Sequence, residues 1–373
     1  MENNEHISSD GYYGSKSNTN IFSGINDMVV LMQRKQLFDV SLSSSLGQFS
    51  KEDYVVILEP LFEHILVDLL LCNKNRPRRV VIVEHLISTK NMREAIAKVL
   101  FESRKVPSLM FVPTLACPTF LLPPPPLSSL SLSINVVLDV GYSESRCCVV
   151  CNGNPLINTF YCSTGYGDII RELLTKMEKE AQMTLTYQDA SYVLENLTEY
   201  LFKPEAPKSI ETDKSRSCPL RIPSSGQMET IPLNILEAVW ESSLDSIALS
   251  SIKSMYSCPI DIKKAAAQSI VVVGGGSMFN GFCDKLRTKI LDLIRSNDSK
   301  WSALEKVFED ETLNFKYLPF ARDKAIWIGA SIFGAMSAST NDGRWVSREN
   351  WTQSQEQSIF DWANVSRSQV KQY

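Results

Sequence analysis

The sequence predicts a mixed α/β protein in which short buried strands alternate with amphipathic helices. Two observations carry that prediction. Val80–Val83 and Leu109–Val112 are continuous apolar runs of strand length, as expected of strands covered on both faces. Between them Met92, Ala95, Ile96, Val99 and Leu100 recur at helical spacing, so strand, helix and strand follow one another as in layered α/β folds. A third observation points to a site. The β-branched run Val271–Val273 ends in Gly274, Gly275 and Gly276, and a helix follows with Phe282, Leu286, Ile290, Leu293 and Ile294 on one face. Such a handover lets a ligand approach the backbone and offers helix N–H groups to an anion. It is equally well read as a tight turn that binds nothing.

The 373 residues suit one large or two ordinary domains, and an apolar fraction of 44% is enough for a sizeable core. A net charge of −4 without a long Lys/Arg block argues against a dedicated nucleic-acid binder and for protein partners. Nine cysteines at irregular spacing, behind an N-terminus without a signal-peptide core, predict reduced thiols in the cytosol. No apolar run reaches the roughly 20 residues of a membrane span.

Residues Met1–Asn20 are rich in Ser, Asn and Gly and are expected to be disordered. Ile21–Ser45 shows no clear period. Leu61–Cys72 reads as a helix with Phe62, Ile65, Leu66, Leu69 and Leu70 on one face, broken by Arg76–Arg79. The prolines at 123–126 and the Leu-Ser repeats after them predict an exposed loop of polyproline character, a spacer rather than a ligand for a Pro-binding module. Ile134–Asp139 and Arg146–Cys151 are strands, and Asn152-Gly153-Asn154-Pro155 is a hairpin turn. Helices are expected over Asp168–Met177, Tyr187–Phe202, Leu233–Ser254 and Lys324–Met336. Lys203–Pro232, rich in Pro, Ser and Lys, reads as a flexible insertion.

Chemistry concentrates at glycine-bearing turns. Asp139-Val140-Gly141 lies between two strands, Gly165-Tyr166-Gly167-Asp168 opens a helix, and Gly274–Gly276 joins strand to helix. Turns far apart in sequence can bracket a nucleotide across a cleft. Asp139 could hold a hydrated Mg²⁺ or simply bond its own turn, and the second reading is favoured. Asp168 is a plain helix cap. The three histidines form no cluster of metal-ligand spacing, and Cys147-Cys148-x-x-Cys151 on a strand reads as packed thiols. Neither a nucleophile elbow nor a Walker lysine occurs.

Several segments together resemble the actin superfamily. They are Cys258–Lys264 with Val271–Gly281, the helix Trp327-Ile328-Gly329-Ala330-Ser331-Ile332, the segment Trp345–Glu349, and Asp139-x-Gly141 in place of the second phosphate hairpin. Within it, Arg78–Glu84, Leu138–Ser145 and Ser257–Asp261 are most similar to the actin-related proteins of the dynactin pointed end. The resemblance implies an actin-like two-lobed fold of the actin/Hsp70/hexokinase type. One lobe would comprise residues 21–129 with 325–373 and the other 130–324, with 203–232 as the insertion. It also implies a nucleotide cleft at Gly274, Gly275, Ser277, Met278 and Phe279, with Asp139, Gly141 and Gly167 beside them, ATP or ADP being optional and no metal or catalytic residue assigned. It further implies a cytoplasmic, cytoskeletal subunit that caps the actin-like filament of dynactin in dynein transport, with other dynactin subunits as partners. An actin-fold ATPase and a nuclear chromatin-complex subunit are the alternatives.

The departures from the actin pattern weigh against hydrolysis. No D-x-G segment occurs between Met1 and Ser45, so the N-terminal hairpin is incomplete or divergent. Tyr142 and Ser143 replace an Asp and a Gly. Thr114 and Arg146 stand where actins position the hydrolytic water with a Gln and a His; a hydroxyl is no substitute for that amide, and a guanidinium stays protonated. Near the adenine, Glu195 and Thr198 stand in place of basic residues.

Overall fold

The computed structural model describes residues 50–72, 78–86, 88–123, 132–202, 216–296, 301, 304, 313–339 and 344–354. The expectations for residues 1–45 and for the proline run after Pro123 lie outside these residues. The described chain groups into two compact units. The first includes the described residues up to 79 together with 88–108 and 347–354; the second includes 80–86 and the residues from 109 to 346.

The first unit is helical. Helix α1, Lys51–Glu63, starts at a reciprocal cap: Ser50 Oγ accepts from Asp53 N at 3.2 Å, and Asp53 Oδ2 accepts from Ser50 N at 3.1 Å. Pro60 sits inside it, and the chain continues as a π-helix over His64–Leu69. Helix α2, Lys90–Lys98, is capped by Thr89 and again widens into a π-turn, Val99–Ser103. Tyr54, Ile57, Leu58, Phe62 and Leu66 of the first segment are buried, as are Ala95, Ile96, Leu100 and Phe101 of the second. The short helix at Arg348–Ser354 brings Trp351 within 5.8 Å of Phe101, ring to ring.

The second unit holds the sheets. Strand β1, Val80–Glu84, runs parallel to β2, Ser108–Pro113, in a three-stranded sheet whose other edge is the two-residue strand Val346–Ser347. Val80–Val83 are only half-buried, against the expectation of cover on both faces. The reason is position: among the described residues β1 is an edge strand, and the central strand β2 takes the full burial, with Leu109, Met110, Phe111 and Val112 at 3% exposure or less.

The larger sheet is built from β3, Ile134–Val140; β4, Glu144–Cys151; β5, Asn154–Pro155; β6, Tyr161–Thr164; and, far along the chain, β9, Ile270–Val273. Its order is β5-β4-β3-β9, with β6 also on β4. The β4–β5 turn is the expected one, with Asn152 and Gly153 both at positive φ. Side-chain alternation along β3 and β4 divides two cores. Val136, Leu138, Val140, Cys147 and Val149 pack with helices α3 (Tyr166–Ala181), α4 (Tyr187–Phe202) and α5 (Leu233–Tyr256). Val137, Cys148 and Val150 pack on the other face with Leu86, Leu115, Val271, Val273 and Leu318. Adjacent Cys147 and Cys148 thus enter different cores, and burial raises both thiols, Cys147 to about 11.

The expected loop over Lys203–Pro232 is corrected in its described part. Strands β7, Ser217–Arg221, and β8, Met228–Pro232, form an antiparallel hairpin. Pro219 is tolerated because this two-stranded sheet leaves an outer edge that needs no N–H. The hairpin tip is held by Asp189 at the start of α4, whose carboxylate accepts from Ser224 N at 3.1 Å and Ser224 Oγ at 2.6 Å. Helices α6 (Ile260–Ala267), α7 (Phe282–Arg295) and α8 (Ala325–Ser339) complete the described unit.

Candidate functional site

The register of the larger sheet assembles the candidate residues. Strand β3 is central, and its Asp139 lies opposite Arg146 of β4 on one side and Val273 of β9 on the other. The β3–β4 turn and the β9–α7 turn therefore leave the sheet at the same end. The start of α3 joins them through β6, where Glu144 pairs with Thr164.

These turns are in direct contact. Gly274 has φ +93° and ψ 151°, a region closed to residues with a side chain. A Cβ there would lie 2.5 Å from Val140 O and 2.6 Å from Asp139 Oδ1. Gly165 is pressed as closely against the β3–β4 turn, since a Cβ would come within 2.5 Å of Glu144 N, Ser143 C and Tyr142 O. Gly275 differs: it is exposed, and a Cβ there would meet nothing within 4 Å.

Most amide donors of the turns are committed within the protein. Tyr166 N donates to Gly141 O at 2.9 Å, Gly167 N to Tyr142 O at 2.8 Å, and Gly165 N to Asp168 Oδ2 at 3.0 Å, which makes Asp168 the expected cap. Gly274 N donates to Arg322 O at 3.0 Å, while Ser277 N and Met278 N donate back to Gly274 O and Gly275 O. The Ser277 hydroxyl, fully buried, also donates to Gly274 O at 2.8 Å, and Arg322 Nη1 donates to Ser277 O at 2.5 Å.

Aromatic rings surround the same corner. Tyr142 and Tyr187 are joined hydroxyl to hydroxyl, with ring centroids 6.5 Å apart. Tyr166 lies 6.1 Å from Phe279, and Phe279 meets the buried Trp240 edge-on at 5.4 Å. Of the residues expected around a nucleotide, Met278 is 45% exposed, Phe279 is half-buried on the core, and Gly274, Ser277, Asp139 and Gly167 are buried. The sequence places Tyr142 and Tyr166 within glycine-bearing turns without giving either a role, and it does not place Tyr187 or Arg322 in this corner. The tyrosines next to Gly141 and Gly165 were the available signal; Arg322 had none.

A charged group lies beside the turns. Glu144 Oε1 accepts from Arg146 Nε at 2.7 Å and lies 3.0 Å from His85 Nε2. The His85 hydrogen bond, then Arg146, hold the Glu144 carboxyl down at about 2 despite partial burial. Burial instead pushes the Asp139 carboxyl up, against the pull of Arg146 and His85. Thr114 Oγ1 donates to Glu84 O at 2.7 Å. Thr198 is buried and accepts the Trp240 indole N–H at 2.9 Å, while Glu195 accepts from Ser191. Among the described residues, no group of three or more His, Cys, Asp or Glu could hold a metal ion, and no helix is long and apolar enough to cross a membrane.

The family model "Actin" matches residues 53–192 and 193–360 of this chain. The chain belongs to the actin family. Actin-like protein 8 of Homo sapiens is 24% identical over 290 residues, which cover 73% of this chain and 72% of that protein. Actin-related protein 10 of Dictyostelium discoideum is 20% identical over 326 residues, covering 73% of this chain but 65% of that protein. The mixed sheets and helices described above are consistent with the α/β actin-like fold.

For this actin-family member the fit to a nucleotide can be tested on the turns themselves. A phosphate group needs N–H donors that face away from the protein, and a hydrated metal needs an accessible carboxylate. The amides of Gly165, Tyr166, Gly167, Gly274, Ser277 and Met278 face protein acceptors, and Asp139 is buried behind Gly274. As placed, these groups do not fit a phosphate-gripping cradle.

Proposed function

We propose that this actin-family chain is a non-catalytic structural subunit that caps the pointed end of the actin-like filament of dynactin and so supports dynein-based transport on microtubules. The carrying observation is that Leu138–Ser145, one of three segments most similar to the pointed-end actin-related proteins, also departs from the actin pattern at Tyr142 and Ser143, and that Thr114 and Arg146 stand at the two positions that would place the hydrolytic water. Arg146 beside it is bound to Glu144, and Thr114 is bound to Glu84 O. Neither can polarise a water for attack on a phosphate. The similarity to Actin-related protein 10 supports the same reading.

An assembly role also suits the surface. Helix α8 is apolar along its length, yet Trp327 is 71% and Met336 59% exposed. A helix apolar on all sides is normally buried; these two exposed side chains lie on opposite sides of the helix, and each leaves apolar surface that suits contact with another protein. In this reading the partners are other dynactin subunits, the location is the cytoplasmic cytoskeleton, and ATP or ADP is not required. The test is affinity purification of the tagged full chain from its own cells, with partners identified by mass spectrometry. Filament and pointed-end subunits of dynactin are expected; their absence, with the protein intact, would end the proposal.

A further inference from the structure

We infer that the three glycine turns of this chain form a nucleotide-independent latch, held together by backbone hydrogen bonds and a tyrosine pair with no ligand between them. The inference rests on the family assignment and not on the dynactin role.

Its first support is contact. Gly274 meets the end of β3, and Gly165 meets the β3–β4 turn, at distances that exclude even a methyl group. Nothing the size of a phosphate fits between those backbones. The second support is direction. Tyr166 N and Gly167 N, the first amides of α3, point at Gly141 O and Tyr142 O. A helix N-terminus leaves its first amides open to an anion; here carbonyls of the neighbouring turn take that place. The third is Ser277, whose hydroxyl turns inward to Gly274 O and whose carbonyl is pinned by Arg322. The fourth is the bond from Tyr142, at the tip of the β3–β4 turn, to Tyr187, the first residue of α4. That bond ties the tip to a helix on the same side of the sheet without a ligand between them.

The experiment is amide hydrogen exchange on the purified full chain, wild type and Tyr142→Phe, with and without Mg-ATP at roughly 1 mM, where any micromolar site is filled. Bound nucleotide in the starting sample is measured after acid release. The latch predicts less than stoichiometric nucleotide in that sample. It also predicts unchanged exchange at Tyr166, Gly167 and Ser277 on adding Mg-ATP. Tyr142→Phe should speed exchange at Tyr166 and Gly167 several-fold, and it keeps the ring, so folding is retained. Stoichiometric co-purified nucleotide, or exchange slowed by Mg-ATP at those amides, would overturn the inference. So would Tyr142→Phe exchanging like wild type. None of these outcomes bears on dynactin co-purification, so the two proposals fail separately.

Discussion

Gly274 and Gly275 are neighbours in one turn, and the structure assigns them opposite tolerances. Gly274→Ala forces a side chain into φ +93° and ψ 151°, which costs roughly 1–3 kcal/mol in backbone strain. The new methyl would also stand 2.5 Å from Val140 O and 2.7 Å from Val140 C. Those are backbone atoms of a fully buried central strand, so relief requires moving β3 or β9, at about 1–3 kcal/mol more. The sum, roughly 2–6 kcal/mol, is a large share of the 5–15 kcal/mol that holds an ordinary domain together. Gly275→Ala adds its methyl to open space and belongs with surface changes, within about 0.5 kcal/mol. Because the chain has two compact units, a single unfolding free energy is not well defined. The suitable assay is apparent Tm together with hydrogen exchange at Val271–Val273, with Gly275→Ala as the control. Gly274→Ala should melt several degrees lower and lose protection in β9. Equal melting of the two variants would refute the close approach of the turns.

Four other outcomes follow from the same contacts. Thr198→Val removes the acceptor of the Trp240 indole at 2.9 Å in a buried site, so stability should fall by about 1–3 kcal/mol with a change in tryptophan emission; unchanged melting and emission would contradict the bond. Asp189→Asn keeps one acceptor oxygen where the carboxylate binds Thr186 and Ser224, and exchange in Ser217–Pro232 should rise while the β3–β4 strands stay protected. Glu144 has its carboxyl lowered from 4.5 to about 2 by His85 and Arg146; a depressed pKa gives stability that is full above 4.5 and lost as pH falls through about 2, with a ceiling of roughly 3 kcal/mol, so wild type and Glu144→Gln should differ in Tm near neutral pH and converge towards pH 2. Trp327→Ala, at a 71% exposed side chain, should leave Tm nearly unchanged and reduce co-purified partner protein; a large drop in Tm would show that the indole serves the fold instead.

What the sequence conveyed depended on whether the cause was local. Helix α4 was readable to its ends, Tyr187–Phe202, because its buried residues Val193, Leu194 and Leu197 repeat at helical spacing. The β4–β5 turn was readable because Asn-Gly supplies both left-handed positions. Val80–Val83 has the same β-branched character as a central strand, and only the sheet order, set by distant residues, makes it an edge. The β7–β8 hairpin was hidden by Pro219 and the serines of its tip, since the group that anchors the tip, Asp189, lies 35 residues earlier. At the site, the glycines themselves were legible. What each glycine meets was not, because Gly274 and Val140 are brought together only by the parallel pairing of β3 with β9.

Several polar groups of this corner share one property: they are satisfied by a protein partner close at hand. Thr114 has Glu84 O, Arg146 has Glu144, Ser277 has Gly274 O, and the first amides of α3 have the carbonyls of the β3–β4 turn. A site built to grip a charged ligand keeps donors pointed at empty space and bears the cost of burying them unpaired until the ligand arrives, about 1–3 kcal/mol for each. Donors paired internally carry no such cost and give no reward for a ligand. Rigidity at this sheet end then comes from the chain itself, at any nucleotide concentration. For a filament-forming actin, a bound nucleotide that changes state can time assembly and release. Under the capping role proposed above the chain needs no such timing, and a corner that closes on itself fits that role better than one that waits for a ligand.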